Sequence, residues 1–208
     1  MTSPTPLLYD TYYHIYNRGV NRENIFMEER NYEYFMGLYA RYIEPVAETF
    51  AYCLLRNHFH ALVRIKSEDE IQSLRVSETL RDSKAKKIKE PSGQFSDFFN
   101  AYAKAINKTY NRTGSLFQHP FGRVPIKSNA HFFNAVRYIH QNPQKHRFVD
   151  DFRDWKYSSY GAILSEKPTR LKRDVVLDWF GDRRQYLELH AEWVADAQMR
   201  WFAEDDLD

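Results

Sequence analysis

The chain has 208 residues, 43% of them hydrophobic and 28% charged, with a formal net charge of only +2. That is enough to bury a core, and it suits one domain with an appendage or two small domains. A single cysteine, Cys53, excludes an intrachain disulfide, and no apolar run approaches the length needed to span a bilayer.

The opening "MTSPTPLLYD" has neither the basic start nor the apolar run of a secretory signal. A cytoplasmic protein with no membrane partner is the expectation. "YYHIYNRG" alternates, with Tyr12, His14 and Tyr16 on one side, and predicts a first strand ended by Asn17 and Gly19. Apolar residues at Tyr32, Phe35, Met36, Tyr39, Tyr42 and Ile43 predict an amphipathic helix stopped by Pro45. "TFAYCLLRN" and "HFHALVRIK" read as two strands joined by a tight turn near Arg56 and Asn57. Ser67 caps a following helix with acids in its first turn.

"SKAKKIKEPSGQ" reads as a basic loop, "FSDFFNAYAKAINKTYN" as a second long helix closed by Gly114, and "FGRVPIKS" as a fourth strand. Pro125 in that strand predicts an edge position. After Asn129 the sequence turns helical, and its tryptophans, Trp155, Trp179, Trp193 and Trp201, read as packing. The order strand, helix, strand, strand, helix, strand predicts an α+β fold. It is a ferredoxin-like split βαββαβ antiparallel sheet with helices on one face, followed by a helical C-terminal region. The division expected is a core over 1–128 and a helical extension over 129–208 that packs on it and ends in an acidic tail.

Charge is unevenly spread. Residues 84–127 hold nine Lys and Arg against two acids, Glu90 and Asp97. The basic side chains Lys84, Lys86, Lys87, Lys104, Lys108, Arg112 and Arg123 lie among aromatics, a mix that suits phosphates and stacked bases. Asn17, Arg18, Asn21 and Arg22 crowd one loop after the first strand, and Arg and Asn can read base edges with paired hydrogen bonds. Solvation and turn chemistry account for the same residues in a protein that binds no nucleic acid.

Within "RNHFHALVRI", His58 and His60 flank Phe59. In a strand the two imidazoles share one face and Phe59 takes the other. Such a pair is half of a metal site, or simply two satisfied polar contacts.

Histidine, a bulky hydrophobe and histidine on a central strand resemble the HUH signature of single-strand DNA endonucleases. "RNHFHALVRI" is similar to its form in REP-associated tyrosine transposases, a branch of the single-tyrosine HUH transposases. "YHIYNRGVNRENIF", "YAKAINKTYNRTGSLFQ" and "VRYIHQNPQKHRFVDDFRDWKYSSYGA" resemble further segments of that family, in order, over about residues 11–190. The resemblance implies cleavage of single-stranded DNA by a tyrosine hydroxyl, giving a 5′-phosphotyrosine and a free 3′-hydroxyl. It implies a divalent ion, Mg²⁺ or Mn²⁺, held by His58 and His60. The DNA partner it implies is a hairpin of REP type with a single-stranded flank, and the protein acts as a monomer or a homodimer.

The resemblance places the nucleophile at Tyr102 on the long helix, five residues before Asn107 and twelve before Gly114. The helical periodicity alone would make Tyr102 a core residue. Relatives carry a polar metal ligand one helical turn after the tyrosine, and here that position is Ile106. That departure leaves two further readings open: a hairpin-binding protein that has lost efficient cleavage, and an RNA-binding ferredoxin-like module. The RNA-binding reading does not account for the histidine pair.

Overall fold

The computed structural model describes residues 6–81 and 88–193. Four strands, β1 (Tyr12–Arg18), β2 (Ala47–Leu54), β3 (His58–Ile65) and β4 (Gly122–Pro125), form one antiparallel sheet in the order β2-β3-β1-β4. That order is the one a split βαββαβ produces. Helix α1 (Glu29–Tyr42) returns the chain from β1 to β2 on the far side of β3, and α3 (Pro91–Thr109) carries it to β4 beside β1. β4, with Pro125, lies at an edge as expected.

The strands follow their alternation. Tyr13 and Ile15 of β1 and Phe59, Ala61, Val63 and Ile65 of β3 point to one face, against Phe35, Leu38 and Tyr39 of α1 and Phe98, Phe99 and Tyr102 of α3. At ~25 cal/mol per Å² of apolar surface, this aromatic layer is a main source of stability. α1 starts at a box in which the Asn31 side chain accepts from the Glu28 backbone N–H at 3.2 Å. α3 begins earlier than the sequence suggested. Pro91 occupies its first turn, where a missing N–H costs nothing, so Pro91 and Gly93 open the helix rather than sit in a loop. α2 (Glu68–Arg81) is capped as expected, with Ser67 Oγ accepting from Glu70 N at 3.1 Å.

The helices are not confined to one face. α4 (Asn129–Lys145) lies across the opposite face of β2 and β3, where Phe132, Ala135, Val136 and Ile139 meet Phe50, Ala51, Cys53 and Leu62. Ser128 caps it, accepting from His131 N at 3.2 Å. Short helices α5 (Tyr160–Leu164), α6 (Arg173–Phe180) and α7 (Arg183–Ala191) back α4. Cys53 is buried core. Trp155 donates its indole N–H to Leu54 O at 2.9 Å, and Trp179 packs on Phe132. Trp193 is instead half exposed, and Trp201 lies outside the described residues. No helix among the described residues is long and apolar enough to cross a membrane.

Candidate functional site

The face under α4 collects the polar aromatic residues. Antiparallel pairing of β1 with β3 sets Arg18 opposite His58 and Tyr16 opposite His60, with His14 one step along, opposite Leu62. His14 is fully buried and its Nε2 lies 2.9 Å from His60 Nδ1. The two rings are nearly parallel, with centroids 5.0 Å apart. Gly122 of β4 is required here. The Tyr16 ring lies directly over it, and a Cβ would sit 2.1 Å from the ring.

His58 Nδ1 lies 2.7 Å from Asn57 Oδ1, and its Nε2 faces Asn142 Oδ1 of α4 at 3.4 Å. The His58 and His60 rings meet edge-on with centroids 5.0 Å apart. His60 Nε2 and Asn142 Nδ2 are buried without a hydrogen-bond partner among the described residues. α4 also brings Tyr138, whose ring stands edge-on to His60 at 5.5 Å and to His14 at 6.0 Å. Just beyond the helix, His146 packs edge-on to His58 at 4.9 Å.

Burial keeps these imidazoles neutral. It drives His58 and His60 well below the ordinary histidine range, with neighbouring histidines and Arg18 adding to the shift. His14 falls to about 3 through burial alone, and His146 to about 4 through burial, Lys145 and Arg18. Tyr16, Asn17, Arg18, Gln118 and Pro120 enclose the histidine pair in a cavity of about 20 Å³. That is room for about one water or ion.

Two neutral imidazoles, one with an unengaged buried nitrogen, and an amide oxygen aimed at the second suit a small divalent ion that completes its shell with water or phosphate oxygen. Among the described residues, no group of three His, Cys, Asp or Glu side chains is arranged to hold a metal. A site here therefore rests on two histidines and an amide.

The structure does not bring Tyr102 to the histidines. It sits on α3, on the Phe59 face, fully buried among Phe26, Phe35 and Phe117. Its hydroxyl donates to Ile25 O at 2.7 Å, and burial raises its pKa far above the usual phenol range. The sheet itself separates Tyr102 from His58 and His60, so the expected meeting of Tyr102 with the histidine pair is not formed. Ile106 is buried on that same far face, so its lack of a ligand atom has no bearing on the histidine site. The tyrosines the histidines do meet are Tyr16, on β1, and, on a helix, Tyr138. The polar residue one turn after it is Asn142, within the segment "YIHQNP". The pairing of a tyrosine with a polar residue one helical turn later was present in that segment and absent from the Tyr102 helix, where the position is Ile106, and the cover of α4 over the second sheet face brings it to the histidines.

The expected DNA contacts divide. Asn17 is not on a loop; it is a buried β1 residue whose Oδ1 accepts from Arg18 N at 2.9 Å. Arg18 lines the histidine cavity. Asn21 and Arg22 are exposed and take left-handed backbone angles, φ 54° and 60°. Lys104 and Lys108 are exposed on α3, across the sheet from the histidines. Lys104 lines a cavity of about 220 Å³ with Asn100, Asn107 and His119. Arg112 is engaged by Glu23 and by Asn107, and the Arg123 guanidinium lies 3.8 Å over the Phe121 ring. Lys84, Lys86 and Lys87 lie outside the described residues.

Fold and site together define an α+β protein with a split βαββαβ sheet and a buried histidine–tyrosine cluster under α4. No family model matches the chain. A Haemophilus influenzae protein with the provisional name of REP-associated tyrosine transposase is 27% identical over 113 residues. The match covers 54% of this chain and 58% of that relative's length. A solved structure of a REP-associated tyrosine transposase bound to a REP hairpin superposes with a TM-score of 0.59 at 14% identity, covering 81% of this chain and 88% of that one. REP-associated tyrosine transposases are thus what this chain resembles in sequence, and it shares their fold.

Proposed function

We propose that the chain is a metal-dependent single-strand DNA endonuclease of the tyrosine transposase type, acting beside a DNA hairpin, with Tyr138 as its nucleophile. The observation that carries this reading is the contact of Tyr138 with His60 together with Asn142, one turn on, against His58. His58, His60 and Asn142 would hold a divalent ion. When bound, the ion neutralises charge on the scissile phosphate, which a weak phenol nucleophile needs near neutral pH.

The remaining steps belong to the chain. The Tyr138 oxygen attacks phosphorus and loses its proton. The bond to the 3′ oxygen breaks, and that oxygen takes up a proton as the free 3′-hydroxyl. The 5′ side stays joined to the tyrosine. Tyr138 is 2% exposed, so the step requires the end of α4 or the segment around Gln118 and Pro120 to move aside. Lys145, whose Nζ lies 5.1 Å over the Tyr138 ring, puts a cation beside the proposed nucleophile, where it would attract a phosphate.

A second reading keeps the hairpin and drops the cleavage. It is favoured by the same closure, since a cavity of about 20 Å³ admits no nucleotide. One experiment separates them: incubation of full-length protein with labelled hairpin DNA carrying a single-stranded flank, with and without Mn²⁺. A metal-dependent covalent protein–DNA adduct supports the nuclease. Binding without an adduct under any divalent ion supports the non-cleaving reading.

A further inference from the structure

We infer that His14 and Asn57 are positioning residues that fix the tautomers of His60 and His58, so that the Nε2 atom of each carries a lone pair. The inference deepens the nuclease reading above and rests on it only for its consequence, not for its geometry.

Each histidine of the pair is tied by its Nδ1 to a different neighbour. His60 Nδ1 meets His14 Nε2 at 2.9 Å, and His58 Nδ1 meets Asn57 Oδ1 at 2.7 Å. A neutral imidazole carries one hydrogen, so a hydrogen held at Nδ1 leaves Nε2 as an acceptor. Asn57 presents its amide oxygen, which can only accept, and so calls for a hydrogen on His58 Nδ1. His58 Nε2 and Asn142 Oδ1 then face each other at 3.4 Å as two acceptors with no hydrogen between them. Two acceptors held that close are the arrangement a cation resolves.

At His60 the surrounding cavity sets the tautomer. Its Nε2 is buried with no partner among the described residues, and Arg18 lines the same cavity. A guanidinium nearby favours a lone pair over an N–H directed into that space. The hydrogen of the His14–His60 bond therefore belongs to His60, and His14 accepts. His14 is held in place: its ring packs nearly parallel to His60, at 5.0 Å, and beside Tyr16, at 5.2 Å, and Tyr138 stands edge-on to it. The outer partner of a ligating histidine is more often a carboxylate or carbonyl. Here a second, fully buried imidazole fills that place.

The test begins with wild-type full-length protein and needs no variant. Nitrogen-15 imidazole spectra should show His58 and His60 as neutral Nδ1–H tautomers. His14→Phe keeps a stacked ring and removes the acceptor; His60 should then shift toward the Nε2–H form, and Mn²⁺ affinity measured by titration should fall by about 10–100-fold. His14→Gln, which restores an acceptor, should recover most of both. Asn57→Leu should do the same to His58. An Nε2–H tautomer at His60 in the wild type, or one unchanged in a folded His14→Phe, overturns the inference. Tautomers as expected with no Mn²⁺ binding in the wild type would leave the positioning intact and sink the metal-dependent reading instead.

Discussion

Tyr138 and Tyr102 stand on opposite sides of one sheet: Tyr138 touches His60 edge-on at 5.5 Å, while Tyr102 gives its hydroxyl to Ile25 O at 2.7 Å on the Phe59 face. The two phenols therefore answer one substitution differently. Tyr138→Phe should retain the fold, hairpin binding and Mn²⁺ binding, and form no covalent adduct. Tyr102→Phe should form the adduct at the normal level per folded molecule. It leaves Ile25 O unsatisfied in the core, so it should lose about 1–3 kcal/mol of stability, read from urea unfolding. An adduct that survives Tyr138→Phe and vanishes in Tyr102→Phe would return the nucleophile to α3.

The ligand set gives a second contrast. Asn142→Ala should weaken Mn²⁺ binding, and Asn142→Asp, which offers a carboxylate to a hard cation, should strengthen it. Ile106→His should bring no gain in affinity. The new imidazole would sit unpartnered in the α1–α3 core and should cost about 1–3 kcal/mol. Isothermal titration of the three variants decides the matter, and tighter binding by Ile106→His would mean that the histidine site lies on the other face.

Much of this was legible in the residues, and the exceptions have physical causes. Period-two alternation placed His14, Tyr16, His58 and His60 correctly, because pleating fixes the face of each side chain regardless of what covers it. The strand order followed from element order and chain reversal. What one sequence does not encode locally is which helix covers which face. α3 and α4 are both amphipathic, and both carry a buried tyrosine. Only the long-range packing of Val136 and Ile139 on Leu62 and Cys53 puts α4 over the histidines. Asn17 looked like a loop residue because Asn favours turns, yet the β1–β3 ladder runs on past it to Arg18 and buries it.

Acid sensitivity follows from the buried imidazoles. His140 and His190 join α4 to α7 through a 2.9 Å ring contact, and both are buried. Burial holds His190 at about 3 and His140 well below the usual value of 6.5. With folded values depressed, the unfolded chain binds more protons below pH 6.5, so stability is fully present above that pH and lost as pH falls. The loss runs to the folded values, at about 1.4 kcal/mol per pH unit for each such histidine. Urea midpoints should be flat from pH 8 to 7 and drop steeply from pH 6 to 5. His190→Phe should lower stability at pH 7 and flatten the acid slope. An acid slope unchanged in a folded His190→Phe protein would mean that His190 protonates freely in the native state.

Hairpin binding should depend steeply on salt, because neutralised phosphates release counterions. The surface to test combines Arg22 beside β1 with Lys104 and Lys108 on α3, all exposed. Arg22→Ala or Lys104→Ala should weaken binding to hairpins of different sequence alike and reduce the slope of log K against log salt by about 1 each. Arg112, already engaged by Glu23 and Asn107, should contribute less, so Arg112→Ala should leave the slope nearly unchanged. The single-stranded flank should add affinity beyond that of a blunt duplex, since stacking on exposed rings rewards unpaired bases. Equal affinity for hairpin with flank and for blunt duplex, with a flat salt dependence, would remove nucleic acid as the partner of this surface. Tighter binding of the same sequence as RNA would move the surface to the RNA-binding class while leaving the Tyr138 test to stand on its own.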